Sequence, residues 1–543
     1  MSMLNTRQRP NIMRHIGLSS GEAQDMRVET RIIEPRTFSQ STAGGQMSFD
    51  LPREGLLDQD VFLDIQVTNP QFAAGGAPMG MPIMAGILGC LQTGTIYYNN
   101  ILLQQTTELA QLLQLKMCFV EQDIRDQTYN VKIGSFSGLM ADTDSLGGAG
   151  ATSVGKYSLN AGDEGRTIVG LQVGVIPGTT TKNPDHYDKV PDYRIAQATG
   201  TAPTFSVPLK WIFPFLSQIQ LPLGLLQGQI RIVFDFYADF NGNRGICYSA
   251  VPPAGAPPVA GNFIQGQVIT QSSCRLVVDL VYFDDIPGQP SPMERLAAEV
   301  MSGIELVYTD YTYIESVISA GTGGVNPEAK DITTLCGLDH QVVRNLLIAM
   351  PNRVNFVTAA GSPETGQDTP SNAILGNFGS CASQGQTTLQ IVINNQNVYP
   401  NAINSDAKIF NELSQVFNTP QKALKGLTSW VGSVTGVAQS AEVEQEAFPR
   451  DKWFCGLGPG AGVATFSCGE SCLQGSLQYM GVNLSRTHDN VLGAGTAIGK
   501  SPVEVRLTTF QTQQVARARR LMIWAECERV MIIKGGQIMV SGS

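Results

Sequence analysis

The chain has 543 residues, a mass of 58.3 kDa and a formal net charge of −10. Its length allows two to four domains, or two large β domains. Hydrophobic residues make up 42 %, which excludes disorder as the main state. Charged residues make up only 15 %, which excludes a coiled coil or an ordinary helical bundle. The acidic balance argues against a protein that mainly wraps nucleic acid.

The cysteines and the apolar segments indicate where the chain is made. Ten cysteines are scattered along it, which predicts free buried thiols in a reducing compartment rather than a disulfide framework. The N-terminus carries no apolar core of a signal peptide. The most apolar window, residues 79–91, is too short for a transmembrane helix. We therefore expect synthesis as a soluble chain.

Residues 1–46 are interpreted as an N-terminal arm. Its first twenty residues hold three arginines, Arg7, Arg9 and Arg14, and no acidic residue. A terminus of this kind is often flexible, and the alternative is an ordered contact with a neighbouring subunit, nucleic acid or a membrane. We expect the three arginines to face inward.

From about residue 47 the pattern is typical of β structure. Period-two alternation of apolar and polar residues predicts strands at 62–67, 230–236, 275–282, 389–393 and 503–507. Long loops rich in Gly, Pro, Asn, Ser and Thr separate them, at 141–165, 241–268, 320–330 and 358–388. Many strands with such loops predict sandwiches or barrels whose loops make contacts.

Three helices are predicted. Residues 405–417 place Ile409, Leu413, Val416 and Phe417 on one face, with Ser405 as the N-cap. A similar spacing predicts a helix over residues 106–116. A weaker helix over 291–300 follows the Pro-containing run 286–290, which we interpret as a linker between two halves.

The two stronger helices follow the same local pattern. Residues 96–100 (IYYNN) and 391–395 (IVINN) are both strand-like and end in Asn-Asn, 295 residues apart. Asn tolerates the left-handed conformation and closes a turn with its own side chain. This repeat predicts a duplicated β-sandwich.

Several segments resemble double jelly-roll major capsid proteins. Residues 205–215 and 221–226 resemble an aromatic-rich strand end followed by a Leu-Pro turn. Residues 273–285 with 294–295 resemble the last strand of the first roll and the crossover, and 389–400 resemble the turn that opens the helix-bearing loop of the second roll. Three C-terminal segments are most like virophage and polinton-like virus members: residues 494–496, Pro502 and residues 535–537. Capsid proteins of nucleocytoplasmic large DNA viruses belong to the same lineage.

The resemblance covers residues 47–543 and implies an all-β fold of two tandem jelly-roll β-sandwiches with long loops and a few short helices. We expect an arm at 1–46, a first roll at 47–290 and a second at 291–543. The implied function is that of a major capsid protein of the adenovirus-like double-stranded DNA virus lineage. Its pseudo-hexagonal homotrimers would tile the facets of an icosahedral shell.

The resemblance also implies the partners and the location. The partners would be neighbouring copies, penton proteins and minor capsid proteins, with a weak contact of the arm to an internal membrane or the genome. The loops at 141–155 and 320–330 would lie at trimer seams or tops. The chain would reside in the virion, and it would be no enzyme, with no cofactor, metal or small-molecule substrate.

Motifs for phosphate, nucleotide or metal binding are incomplete. Residues 494–501 miss the first glycine of a phosphate-binding loop and lead into a strand instead of a helix. The Gly-rich run 456–462 lacks a surrounding βαβ unit. Cys468 and Cys472 have no histidine nearby to complete a zinc site. We interpret all three segments as loops.

Motifs for hydrolysis or nucleic-acid binding are equally weak. His186 and Asp188 lack a nucleophile motif, and the neighbours Asp284 and Asp285 would point to opposite faces of a strand. The basic cluster of Arg517, Arg519 and Arg520 has only Trp524 close by, so we expect a solvated turn or subunit ion pairs. The glycosylation sequon at Asn483 is expected to be unused in a chain without a signal peptide.

Two other functions fit a β-sandwich chain. A carbohydrate-binding or carbohydrate-active protein would show clustered carboxylates and aromatics, and aromatics are only 7 % here. A spike or adhesion protein would carry a signal peptide or short tandem repeats. A trimeric mass favours the capsid protein, and a monomeric mass favours the carbohydrate-active one.

Overall fold

The computed structural model describes the following residues, and every structural statement below concerns these alone: 26–41, 44–66, 79–80, 86–117, 128, 130–133, 204–236, 247–248, 269, 271–283, 291–318, 328–349, 388–404, 406–417, 479–485, 495–500, 502–511 and 519–541.

The first half contains eleven described strands. They are β1 Met26–Ile33, β2 Thr37–Ser41, β3 Gly44–Asp50, β4 Leu56–Gln66, β5 Met79–Gly80, β6 Leu91–Tyr98, β7 Ile101–Thr107, β8 Thr204–Pro208, β9 Ile230–Phe236, β10 Cys247–Tyr248 and β11 Cys274–Phe283. One sheet has the order β1-β11-β4-β8, and a second has the order β2-β3-β9-β6-β7. A short pair, β5 with β10, stands apart.

The second half contains ten described strands. They are β12 Ile304–Ile318, β13 Glu328–Cys336, β14 Val342–Ala349, β15 Thr388–Ile393, β16 Gln396–Asn397, β17 Tyr479–Asn483, β18 Thr496–Ala497, β19 Val503–Gln511, β20 Arg519–Lys534 and β21 Gln537–Ser541. One sheet has the order β12-β20-β14-β17, with β18 and β21 attached to it. The other has the order β13-β19-β15-β16.

Both halves have the strand order of a jelly roll. When the eight main strands of each half are lettered B to I along the chain, one sheet reads B-I-D-G and the other C-H-E-F. All pairings are antiparallel; β1 pairs with β11 as β12 pairs with β20. The halves are therefore two tandem jelly rolls, as the sequence predicts, and each of the eight main strands of one roll has an equivalent in the other.

The Asn-Asn repeat forms the same turn in each roll. Asn99 joins β6 to β7, and Asn394 joins β15 to β16. Both have a φ of 52°, in the left-handed region that Asn tolerates. The duplicated turn predicted from the sequence is therefore confirmed.

Five short α-helices accompany the strands. They are α1 Leu109–Met117, α2 Asn130–Ile133, α3 Pro214–Gln218, α4 Pro292–Ser302 and α5 Asp406–Phe417. The three predicted helices correspond to α1, α4 and α5. Helix α4 starts with a capping box, because Ser291 Oγ accepts from Glu294 N and a Glu294 oxygen accepts from Ser291 N.

The β structure starts earlier than expected. Strand β1 begins at Met26, inside the segment interpreted as an arm, and pairs with β11 from Met26 to Ile33. Strands β2 and β3 follow before residue 51. The expected start of β structure near residue 47 is thus corrected to residue 26, because an edge strand with Arg27, Glu29 and Arg31 on alternate positions carries little apolar signal.

Two apolar clusters form the cores. The smaller fills the second roll between its sheets, with Leu346, Ile391, Val505 and Ile523 among its members. The larger starts in the first roll and continues into residues of the second roll that point away from that roll's own core, including Trp524. The two rolls therefore share a continuous packed interior.

Candidate functional site: the junction between the two rolls

The described residues bring the two rolls together at one sheet face of the second roll. Strand β12 is buried on both of its sides from Tyr308 to Tyr311. In this stretch β12 packs against β7 and α3 of the first roll, and Tyr311 contacts Lys116 of α1. This contact, which we call the junction, sets how one roll stands beside the other.

Hydrogen bonds along β7 and β12 connect the rolls. Tyr308 donates its hydroxyl to the Leu103 carbonyl at 2.6 Å. Gln104 is fully buried; its amide donates to the Thr309 carbonyl at 2.8 Å and accepts from Phe215 N at 3.0 Å. A buried amide with both ends satisfied fixes the spacing of the groups that it joins.

Trp524 is the largest buried side chain of the junction. It projects from β20 with no exposed surface and donates its indole NH to the Thr107 carbonyl at 2.9 Å. Its ring lies 5.6 Å from the ring of Tyr313, at 46°. The buried ring contributes apolar area to the contact, and the hydrogen bond of its NH group fixes the orientation of the ring.

A buried ion cluster lies beside Trp524. Arg520 of β20 donates to Glu108 of the first roll at 2.8 Å and to Glu315 of its own roll at 2.6 Å. Glu108 is 3 % exposed and Arg520 is 8 % exposed. Burial opposes the charge on Arg520, but the two carboxylates outweigh it and raise the pKa of the guanidinium. Arg520 is thus a link between rolls, not part of a nucleic-acid surface.

A second ion pair lies deeper in β12. Asp310 is 2 % exposed, and its Oδ2 lies 2.9 Å from Arg529 Nε. Burial raises the pKa of Asp310 to about 6, although Arg529 acts in the opposite direction. Asp310 therefore takes up a proton at a higher pH than an ordinary aspartate does.

The two rolls also meet near the described C-terminal end. Tyr98, in the last position of β6, donates its hydroxyl to the Gly536 carbonyl at 2.8 Å, and Gln227 N donates to the same carbonyl at 2.9 Å. Gly536 has a φ of +76°, and a Cβ there would lie 2.8 Å from the Leu225 carbonyl. Glycine is required here by both conformation and space.

A cavity of about 430 Å³ opens at one end of the junction. Lys116 donates to the hydroxyl of Tyr311, which donates to Glu526 at 2.9 Å, and Asn345 donates to Glu526 at 2.6 Å. Burial lowers the pKa of Lys116. At this wall Lys116 of the first roll is therefore linked by hydrogen bonds to Tyr311 and Glu526 of the second roll.

The described residues contain little that resembles a reaction centre. No group of three potential metal ligands occurs among them, and none of the described helices is long and apolar enough to cross a membrane. Four described cysteines, Cys90, Cys274, Cys336 and Cys527, are free and buried. Burial raises the pKa of the last three to about 12, which keeps these thiols unreactive.

Some of the remaining sequence motifs lie within the described residues, and others lie outside them. Residues 496–497 of the near-miss phosphate loop form β18, which pairs with β14 and leads into β19. Asn483 lies at the end of β17, where its Oδ1 accepts from Ser485 N. Outside the described residues lie Arg7, Arg9, Arg14, His186, Asp188, Asp284, Asp285, Cys468, Cys472, Arg517, the loop 141–155, the run 456–462 and most of 320–330.

Sequence reasoning did not identify Gln104, Glu108 or Trp524 as junction residues. It expected Arg520 in a solvated turn or in subunit ion pairs, and the solvated turn is wrong because Arg520 is buried. Glu108 is the one acidic residue between positions 65 and 120, directly before an apolar helix, and that isolation was a usable signal. Arg520 directly precedes the apolar run 521–525, which contains Trp524, and a charged side chain buried beside such a run needs a partner. Gln104 carried no comparable signal.

Comparison with known proteins identifies the fold. No family model and no curated protein matches the sequence. A chain of the solved structure "PBCV-1 virus capsid, quasi-atomic model" is similar with a TM-score of 0.50 at 14 % identity, covering 95 % of this chain and 96 % of that one. A chain of the cryo-EM structure of the Sputnik virophage at 3.5 Å is similar with a TM-score of 0.51 at 13 % identity, covering 95 % and 88 %.

A third match combines both names. It is a crystal structure of PBCV-1 VP54 fitted into a reconstruction of the virophage Sputnik, with a TM-score of 0.50 at 14 % identity, covering 95 % of this chain and 97 % of that one. At such identities the likeness concerns the fold. Together with the B-I-D-G and C-H-E-F order of both halves, it shows that this chain has the double jelly-roll fold seen in viral major capsid proteins.

Proposed function

We propose that this protein is a major capsid protein whose homotrimers are pseudo-hexagonal and tile an icosahedral double-stranded DNA virus shell. The observation that carries the proposal is the junction, which holds two jelly rolls side by side through buried ion pairs, Trp524 and Gln104. Two fixed rolls make one third of a ring of six, and a threefold axis closes that ring through head-to-tail contacts.

The role is structural rather than enzymatic. A rigid wall of antiparallel strands transmits load between neighbours, and buried contacts suit a chain with few charged residues. The similar structures carry the words capsid and virophage in their titles, which supports a place in the virion. Penton and minor capsid proteins are the further partners of such a shell.

The domain boundaries belong to this proposal. The first roll would run from residue 26 to about 290, and the second from 291 to 543, with α4 starting the second. Residues 1–25 would then remain as the arm on the inner side of the shell.

The test is the mass and shape of the purified chain. Light scattering should give three times 58.3 kDa, and negative-stain electron microscopy should show hexagonal particles, curved sheets or shells. A chain that stays monomeric over the accessible concentration range, and forms no sheets when concentrated, contradicts the proposal. Glycan-binding and hydrolase screens would then become the next measurements.

A further inference from the structure

The cavity at the junction has walls from both rolls. Its volume of about 430 Å³ lies in the range of small-molecule sites, near the lower end. Lys116 and Gln218 of the first roll line it together with Tyr311 and Glu526 of the second. The charges and the apolar surface of this lining determine which class of ligand fits.

Cations outnumber carboxylates in the lining. Among the described residues it contains three cationic side chains and one carboxylate: Lys116, Lys210, Arg344 and Glu526. Two of the cations have a carboxylate nearby. Lys210 donates to Asp60 at 2.8 Å, and Arg344 Nε lies 3.6 Å from a Glu528 oxygen. The third cation, Lys116, has a different environment.

The ammonium of Lys116 contacts a neutral group instead of a carboxylate. Its Nζ donates to the hydroxyl of Tyr311 and lies 4.5 Å from the centre of that ring. Within the part of the chain that the structure describes, no carboxylate forms a salt bridge with it. The oxygens of Glu526 accept from Tyr311 and Asn345. Taking an ammonium out of water without a paired anion is costly, and a bound anion would reduce that cost.

Apolar side chains of both rolls line the same cavity. They are Pro214 of α3 and Val416 and Phe417 of α5. Pro214 and Phe417 are half-buried, so part of their apolar area remains in contact with solvent. A ligand with an apolar body would remove this area from water. The cavity therefore combines a cation with apolar surface.

We propose that this cavity binds a small monocarboxylate with one short apolar chain. The carboxylate pairs with Lys116, and the chain packs against Pro214 and Phe417. A single negative charge matches the one lining cation that has no salt bridge to a described carboxylate. The volume suits one short chain rather than a lipid with two chains.

The ligand would contact both rolls of one chain, through Lys116 of the first and Phe417 of the second. It would therefore bind the chain with its rolls joined and stabilise that state by mass action. The inference does not depend on the proposed capsid function, because it uses only contacts within one chain.

The first test compares three probes by isothermal titration calorimetry on the full chain. Octanoate should bind saturably, and the melting temperature should rise with its concentration. Octanamide has the same chain without the charge, so it should bind about tenfold more weakly. Inorganic phosphate has no apolar body and should give no saturable heat.

The second test uses variants of the lining. Lys116→Met removes the charge and keeps an unbranched side chain, so octanoate should bind about tenfold more weakly while octanamide binds as before. Lys408→Met is the matched control, because Lys408 is exposed on α5 and does not line the cavity. It should retain the wild-type affinity for octanoate.

A third variant blocks the cavity without changing its charge. Ser217 is an exposed lining residue, so Ser217→Trp places a large ring at the opening. Both octanoate and octanamide should then bind more weakly. Far-UV circular dichroism of each variant confirms that the chain is folded.

Each outcome decides the proposal. Saturable octanoate binding that Lys116→Met and Ser217→Trp weaken and Lys408→Met leaves unchanged supports it. No saturable heat from the wild-type chain overturns it, and so does equal affinity for octanoate and octanamide. Octanoate binding that survives Lys116→Met or Ser217→Trp unchanged places the ligand elsewhere and also overturns it.

Discussion

The outer face of the β12-β20-β14 sheet lies under the first roll, whereas the outer face of the β1-β11-β4 sheet is exposed at Val28 and Ile32 of β1 and is contacted by α2 only at Phe62 among the described residues. The two faces occupy the same place in the same fold. The covered one carries Trp524, Met522 and Tyr311, and the open one carries Ile32 beside Thr30 and Asp279. Topology therefore defines which surfaces exist, and side chains decide which of them are joined permanently within one chain.

The helices repeat this contrast. The described side chains of α1 are buried except for the half-buried Lys116, whereas α5 buries Leu413 and Val416 beside Gly481 of β17 and exposes its polar face. Both follow the same Asn-containing turn. The helix after the duplicated turn therefore packs differently in the two rolls, because α1 contacts β6 and α5 contacts β17. The following changes test this comparison.

The largest expected effect is at Trp524. Trp524→Ala removes a fully buried ring and its hydrogen bond to Thr107, and we expect a loss of about 4 kcal/mol in the free energy of unfolding. Ile32→Ala at an exposed position of β1 should change the free energy of unfolding by less than about 0.5 kcal/mol. Urea unfolding followed by far-UV circular dichroism measures both. Equal losses at the two sites would refute the contrast between the faces.

Breaking the buried ion cluster comes next. Arg520→Met leaves Glu108 charged and buried, and we expect a loss of about 3 kcal/mol. The double variant Glu108→Gln with Arg520→Met should recover part of this loss, because no uncompensated carboxylate of Glu108 remains. A double-mutant cycle in urea gives the coupling. Independent, additive losses would mean that the pair does not join the rolls.

Asp310 should make the junction sensitive to pH. Its folded pKa of about 6 lies above the ordinary value of 3.8, so the folded state holds this proton more tightly than the unfolded state. The raised pKa of Asp310 stabilises the folded state fully below about pH 3.8, and this stabilisation is lost as the pH rises to about 6. The free energy of unfolding should fall by about 2 to 3 kcal/mol over this pH range because of Asp310.

The matched variant is Asp310→Asn, which cannot titrate. Between pH 4 and 6.5, the free energy of unfolding of the wild-type chain should fall relative to that of the variant. Parallel curves for the two proteins over this range would show that Asp310 has an ordinary pKa. Other groups titrate in both proteins and cancel in the comparison.

The smallest effects are expected at the duplicated turns. Asn394→Ala places a Cβ-bearing residue without a polar side chain in the left-handed region, at a cost of about 1 kcal/mol. Asn99→Ala should cost more, about 1.5 kcal/mol, because Asn99 Oδ1 also accepts from Gln229 N at 2.9 Å. Glycine at either position is the control that keeps the conformation. A larger loss at Asn394 than at Asn99 would contradict this order.

Local patterns predicted the elements whose side chains face one core. Strand β9 has the predicted bounds of 230–236, and α5 begins one residue after its predicted cap at Ser405. Helix α1 begins at Leu109 instead of 106, because Thr106 stays in β7, where its hydroxyl donates to the Ile212 carbonyl. That partner lies far along the chain, so a local pattern does not contain it.

The amino-acid sequence by itself determined the β class, the duplication, the turns at Asn99 and Asn394 and the main strands, because alternation and turn chemistry act between near neighbours. Only the tertiary structure decided that β1 belongs to the first roll and that Trp524 and Arg520 meet Thr107 and Glu108. Those contacts join residues more than 240 positions apart. They depend on how two rolls pack, which no local periodicity encodes.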